Sequence, residues 1–310
     1  MRFSRQTAIR SNLQRRARII DSVRAYFNAA GFLEIETPVR IPAPAPEAHI
    51  DTQESGEWFL HPSPELCMKR LLASGYEKIF QICRCFRKAE RGGRHLPEMT
   101  LLEWYVAGFD YLDLMEQCEQ LVGFVADRMG LGRRLIYQGR TVDLTPPWER
   151  LSVAEAFRRF GRPWKQMSAE EALDRDCFDE MMGLTIEPEL GLNRPVFLYD
   201  YPARCGALAR LKPTDPSLAE RFELYIAGME LCNAFSELID AQEQRRRFES
   251  ENRMRGAGGK TVYPMAEAFL RALEAMPPAA GNALGLDRLV MLFCDAESID
   301  EVVAFTPEEL

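Results

Sequence analysis

The sequence predicts an α+β fold, an antiparallel β-sheet flanked by helices, built as one domain over residues 1–310. Two observations predict it. Period-two apolar runs follow one another across turn-length gaps, which joins strands antiparallel rather than through crossover helices. Helical patterns bracket those runs towards both ends of the chain, and no internal repeat or long flexible linker divides it.

Leu13, Ala17, Ile20, Val23 and Phe27 recur at helical spacing, and Gly31 stands where a left-handed cap ends such a helix. A short strand is expected over 32–39, then a rigid extended loop over 41–48, where prolines fix φ and remove donors. A helix over 63–74 leads into two paired strands, 79–87 and 98–106, joined by a loop rich in glycine and arginine. Helical patterning fills 111–130 and 153–160, so the middle of the chain reads as a helical insertion. After Pro195 strands return as VFLYDYP, ERFELYIAG and MELCNAFSEL, and the end reads as helix, glycine-rich turn, strand and helix.

Composition narrows the function classes. At 46% hydrophobic and 28% charged residues the chain is globular, which excludes disordered and collagen-like classes. Lys+Arg of 39 against Asp+Glu of 47 leaves −8, which excludes a broad, sequence-independent grip on nucleic acid. Arg2, Arg5, Arg10, Arg15, Arg16, Arg18 and Arg24, and the run Arg245, Arg246, Arg247, read as solvated helix faces. Eight cysteines without a C-x-x-C pair, and three histidines, argue against a disulfide scaffold or a zinc site; Cys83 and Cys85 read as packing within a strand. Apolar runs such as 289–294 fall far short of the ~20 residues that cross a bilayer, so a cytoplasmic protein without membrane contact is expected.

No nucleophile motif is present. GAGGKT (256–261) lacks the first glycine of a phosphate loop, which would fall at Met254, and reads as a surface turn. The hairpin around Arg87 says more: alternation places Met99, Glu103 and Tyr105 on one face, with Arg87 at the mouth of a basic loop, an arrangement suited to a phosphate. A tight turn at Ala227-Gly228 pairs Tyr225 with Glu230, so Glu223 and Glu230 share a sheet face as diagonal neighbours able to hold Mg²⁺. Glu237 falls on the opposite face unless the strand bulges near Asn233. In GNALGLDRLVML, Arg288 opens a helix whose N-terminus is itself positive, an arrangement that fits an anion between them.

These segments together resemble the catalytic domain of class II aminoacyl-tRNA synthetases, within them the lysyl branch, and the resemblance covers nearly the whole chain. FLEIETPV, with Pro38, resembles motif 1 at a dimer interface, residues 86–105 motif 2, and GLDRL motif 3; SPELCMKRLL and residues 220–238 are similar to lysyl-specific segments. The lysyl enzymes carry an N-terminal anticodon-reading OB-fold, for which the stretch before motif 1 leaves no room. The chain therefore resembles a truncated branch whose members attach (R)-β-lysine to a lysine side chain of elongation factor P. Ser63, where lysyl synthetases usually have alanine, and Ala283, where they usually have glycine, favour that branch.

Carried over, the resemblance implies that Arg87 grips the α-phosphate of ATP and the substrate carboxylate, while Arg288 holds the γ-phosphate. Glu223 and Glu230 bind Mg²⁺, with Glu230 also on the nucleotide. Glu65 receives the substrate amine near the reacting carboxylate. Glu103, Tyr105, Asn233 and Glu237 form an acidic pocket for the distal ammonium, with Phe235 along the alkyl chain and Ser63 and Ala283 shaping the backbone end. Lys88, Ala89, Glu90, Leu96, Met99 and Leu231 fall among the ATP contacts, and Gly285 lets the backbone approach the nucleotide. Ala89, Leu96, Met99 and Ala234 depart from the family's usual acid, asparagine, adenine-stacking phenylalanine and glycine.

The implied reaction is a two-step ligation: ATP activates (R)-β-lysine or lysine as an adenylate, and a lysine of elongation factor P takes the acyl group. A homodimer is implied with it. The alternatives are a lysyl-synthetase-like enzyme charging tRNA or a small molecule, with tRNA not the expected acceptor, and a non-catalytic paralogue that senses an amino acid or binds a partner.

Overall fold

The computed structural model describes residues 5–161 and 167–310; Arg2 lies outside them. Helix α1 (Arg10–Ala29) buries Ile19, Val23 and Phe27 along one stripe. It ends as expected: Gly31 takes φ +77° and the Phe32 amide reaches back to the Phe27 carbonyl at 3.0 Å.

The strand expected over 32–39 shrinks to β1 (Leu33–Glu34). It pairs in parallel with β2 (Lys78–Phe86), and the Ile35 amide adds one more bond, to the Phe80 carbonyl. Pro38 has no N–H to extend a ladder. The chain instead enters a small sheet of Arg40–Ile41, Trp58–Leu60 and Gln53–Ser55, which the patterning did not predict.

Helix α2 (Glu65–Ala73), β3 (Glu98–Ala107) and α3 (Tyr111–Arg128) fall where expected. The middle of the chain holds a two-stranded hairpin and β4 (Glu149–Ser152), both unforeseen, before the expected helix Val153–Phe160. There follow β5 (Val196–Pro202), β6 (Asp215–Ile226), β7 (Met229–Ser236), β8 (Ala279–Gly285) and α4 (Leu286–Cys294).

The main sheet runs β1-β2-β3-β8-β7-β6-β5-β4, and Leu211–Lys212 joins β6 to make nine strands. The α+β fold with a helix-flanked sheet is as expected, and the sheet is mixed rather than antiparallel throughout. The interior pairs are antiparallel, but β1 with β2 and β4 with β5 are parallel. Each of those pairs is joined through helices, α2 in one case and the insertion in the other, and such a crossover returns the chain in the same direction.

Alternation gives the sheet two different faces. Phe80, Leu102, Trp104, Phe222, Leu224 and Ala234 pack on α1, α3 and α4 in the main core. The other face is covered at one end by α2, Ala241–Ala257 and Glu267–Leu273 and at the other by the helical insertion. Between these covers the sheet lies open, and the site sits there.

The basic stretches pair largely with this chain's own acids: Arg24 with Glu34, Arg245 with Glu267, Arg246 and Arg247 with Glu243. Arg16 is no surface charge. It is mostly buried, pairs with Asp287 and donates to Thr100 Oγ1 at 2.8 Å, which ties α1 to the first turn of α4. Lys260, in the expected surface turn, reaches Asp51 at 3.0 Å. Among the described residues no helix is long and apolar enough to cross a membrane.

Candidate active site

The β2–β3 hairpin has the expected register: Gln81 opposes Glu103, Cys83 opposes Leu101 and Cys85 opposes Met99. Met99, Glu103 and Tyr105 therefore share the open face. The Arg87 amide closes the hairpin on the Pro97 carbonyl at 2.9 Å. Its guanidinium makes one long ion pair with Glu90, at 3.8 Å, and its buried Nε has no partner among the described residues. Arg87 thus holds donors in reserve for an anion.

The β6–β7 hairpin turns on Ala227 and Gly228, both at positive φ, pairing Ile226 with Met229 and Tyr225 with Glu230 as expected. The register then slips: Leu224 opposes Cys232 and Glu223 opposes Asn233, so Leu231 is an inserted bulge residue. That extra residue reverses the alternation along β7. Asn233, Phe235 and Glu237 join Glu223 and Glu230 on the open face, which decides the question the strand pattern left open.

The floor between the two hairpins is β8. Ala283 lies in register between Asn233 on one side and Glu103 on the other, and Gly281 lies between Phe235 and Tyr105. A Cβ at Gly281 would overlap the Tyr105 ring and come within 2.5 Å of Glu237 Oε1. Glycine there is a requirement of packing. At Gly285 a Cβ would meet only ordinary contacts, so nothing in the protein itself demands glycine.

These elements enclose a cavity of about 340 Å³ lined by Ser63, Glu65, Arg87, Glu90, Leu96, Met99, Glu103, Tyr105, Glu223, Glu230, Leu231, Asn233, Phe235, Ala283, Gly285 and Arg288. Three expected residues lie elsewhere. Lys88 and Ala89 line a separate cavity against Val303, Phe305 and Leu310. Ala89 is left-handed, at φ +64°, and the Lys88 amide is held by the Asp51 carbonyl at 2.6 Å, which together peel this part of the loop off the pocket wall. Glu237 lies on the same face over Gly281, fully buried and off the cavity surface.

One end of the cavity gathers cations and a carboxylate cluster. Arg288 Nη1 reaches the Glu230 carboxylate at 3.0 Å and its carbonyl at 2.8 Å, and Nη2 lies 2.5 Å from His95 Nε2. Burial and the facing Arg288 hold His95 below its ordinary range, so the ring is neutral and accepts from the guanidinium. Burial opposes ionisation of Glu230, but Arg288, Arg87 and Arg221 prevail and keep its carboxyl below the ordinary range. Glu223 is raised, chiefly by burial, although Tyr201 and Tyr225 each donate a hydroxyl to it at 2.6 Å and Arg221 approaches its other oxygen at 2.6 Å.

Glu187, from the helical insertion, is a third carboxylate here; burial, with Glu223 and Glu230 nearby, pushes it up to about 7. Glu223, Glu230 and Glu187 crowd hard carboxylate oxygens together, two of them raised by burial and by one another's charge, a donor set that fits a divalent cation such as Mg²⁺.

The other end is an enclosed acidic chamber. Glu103 is fully buried and held well above the ordinary carboxyl range by burial, with Glu65 and Cys83 adding to it. Tyr105 Oη donates to its Oε2 at 3.0 Å, while its buried Oε1 has no partner among the described residues. Ser63 Oγ accepts the Glu65 amide at 3.0 Å, at the entrance to α2. Below them Lys69, 1% exposed, pairs with Glu65 at 2.5 Å and with Glu237, its ammonium 5.0 Å from the Phe235 ring centroid.

Sequence reasoning missed Lys69, Arg221, Glu187 and His95. Lys69 follows Glu65 by one helical turn and Arg221 precedes Glu223 on one strand face, so both had a readable spacing. Glu187 had none, because the insertion's path over the sheet is set by tertiary packing.

A mixed sheet with an antiparallel interior, carrying a motif 2-type hairpin arginine, a motif 3-type helix arginine and a carboxylate cluster between them, defines the catalytic domain of class II synthetases. Residues 1–309 match the family of tRNA synthetases class II (D, K and N), and the chain belongs to that family. It is 40% identical to an elongation factor P–(R)-beta-lysine ligase of Haemophilus influenzae, over 95% of this chain and 94% of that protein. A protein of the same name from Klebsiella pneumoniae is also 40% identical, over 95% of this chain and 94% of its own length. A lysine–tRNA ligase of Moorella thermoacetica is 40% identical over 94% of this chain, which spans 64% of that enzyme's length.

Proposed function

We propose that this chain is an ATP-dependent ligase that activates (R)-β-lysine, or lysine, and transfers it to a lysine side chain of elongation factor P. The observation that carries the reading is one cavity of about 340 Å³ that holds the largely unpaired Arg87 guanidinium together with Arg288, and also the buried carboxylates Glu65 and Glu103. The names of the relatives matched over 94% of their length point the same way.

In the first step the amino-acid carboxylate attacks the α-phosphorus of ATP, an O–P bond forms, the bond to the bridging oxygen breaks, and pyrophosphate leaves. Arg87 would hold the α-phosphate and the carboxylate together, and Arg288 the far phosphate, so the gain comes from positioning and charge stabilisation. Mg²⁺ held by Glu223 and Glu230, with Glu187 behind them, would offset the phosphates' charge. In the second step the acceptor amine attacks the acyl carbon, loses a proton and expels AMP. No side-chain nucleophile is required.

Glu65 would take the amine nearer the carboxylate, while Glu103, Tyr105 and Asn233 meet the distal ammonium, with Glu237 buried behind them, and Phe235 its alkyl chain. The Ala283 methyl, in register between Asn233 and Glu103, narrows the floor where the two substrates differ by the placing of an amine. Cytoplasmic location, a single domain over 1–310 and a homodimer belong to the same reading.

Intact mass of elongation factor P after incubation with this chain, Mg²⁺-ATP and either amino acid tests it. A gain of one lysyl unit, faster with (R)-β-lysine, is the expected result. The matched lysine–tRNA ligases favour a second reading: no gain on elongation factor P, with tRNA charged in a parallel tube, would replace the first.

A further inference from the structure

Cys83 and Cys85 alternate on β2, and their Sγ atoms lie 3.7 Å apart. The packing role expected of them leaves a neighbour unexplained. His61, which follows the strand Trp58–Leu60, is 1% exposed and comes against the same pair, its Nε2 3.9 Å from Cys85 Sγ. One ligating atom from each of the three residues lies within 4.8 Å of the others. His61 Nε2 also lies 2.7 Å from the Arg84 carbonyl, and its buried Nδ1 has no partner among the described residues.

We propose that Cys83, Cys85 and His61 form a binding site for one thiophilic divalent cation, zinc by the chemistry of its donors. Two thiolates on a tetrahedral zinc, each ~2.3 Å from it, stand roughly 3.8 Å apart, close to the spacing these sulfurs already have. Two sulfurs and an imidazole select zinc over magnesium or calcium, which prefer oxygen. Nε2 is the ring nitrogen that faces the sulfurs, so it is the one placed to ligate, exchanging its bond to the Arg84 carbonyl for the ion while Nδ1 carries the proton.

Cys83 is half-buried, so an ion has a way in, and three protein ligands leave one position open, the pattern of an exchangeable rather than a closed structural site. The site shares its strand face with Glu103, whose free Oε1 lines the chamber nearby, and is independent of the ligase reading.

The reduced, metal-free full chain titrated with Co²⁺ as the probe tests it. Thiolate-to-cobalt charge-transfer absorption saturating at one equivalent and erased by added Zn²⁺ is expected, with Cys83→Ser, a conservative change at a half-buried position, losing roughly half of it. The double variant Cys83→Ser/Cys85→Ser should lose all of it. No charge-transfer band in the unmodified chain, or a band unchanged by Cys83→Ser, overturns the proposal.

Discussion

Lys69 stands against Glu237 beside the pocket floor, and Glu65 holds the same ammonium from the other side. One cation there faces two carboxylates in a region closed to water. Burial disfavours the surplus negative charge, so one carboxyl keeps its proton. That carboxyl is Glu237, pushed up to about 8 by burial, with Glu65 adding to the effect and Lys69 opposing it. Lys69 stays charged: burial pulls its ammonium down, and the two glutamates more than restore it.

A raised carboxyl has a definite sign. The folded chain holds a proton on Glu237 that the unfolded chain releases near its ordinary value of 4.5, so this contribution is complete below that value and is lost as pH rises through about 8. Urea midpoints should fall over that interval, and Glu237→Gln should flatten the slope. If the distal ammonium binds the ionised form, KM for the amino acid should fall over the same interval in the unmodified enzyme and stay level in the variant.

Gly281→Ala should destabilise the chain by about 1–3 kcal/mol, the usual range for overpacking a closed interior, because the new methyl meets Tyr105 and Glu237 at once. Amino-acid-dependent ATP–pyrophosphate exchange should fall with it. Gly285→Ala should leave the urea midpoint nearly unchanged, since its methyl has room.

Arg288→Ala should lower the rate of that exchange by about 10²–10³-fold, the range for removing one donor aimed at developing charge. The side chain is only partly buried, so the thermal midpoint should move little. An unchanged exchange rate would leave the ligase reading without its second arginine.

Glu187→Gln should raise the Mg²⁺ concentration for half-maximal exchange several-fold by withdrawing one of three clustered carboxylates. In the ligand-free chain it should also abolish a titration near 7 that carbon-13 NMR of labelled glutamate can follow. Equal Mg²⁺ dependence in both chains would separate Glu187 from the cation site.

Much of the site was legible because it is written locally. Arg87, Met99, Glu103 and Tyr105 lie on one hairpin, where a period of two places every side chain. Glu223 and Glu230 flank a turn that Ala227-Gly228 announces. Glu237 was not legible: its face depends on the bulge at Leu231, one unpaired residue that no alternation reveals. The displacement of Lys88 and Ala89 from the cavity was not legible for a related reason, since the bond that draws their loop aside comes from Asp51, distant in sequence.

The sequence by itself determined the antiparallel hairpins, the helices that cover them and the two arginines at opposite ends of the chain's motifs, because hydrophobic period, turn chemistry and capping act within a few residues. Tertiary structure decided the parallel end strands, the third carboxylate supplied by the insertion, the Lys69 ammonium shared between Glu65 and Glu237, and the meeting of His61 with Cys83 and Cys85. Each of these joins residues far apart along the chain, and only the closing of the sheet and its covering helices brings them within a few ångströms.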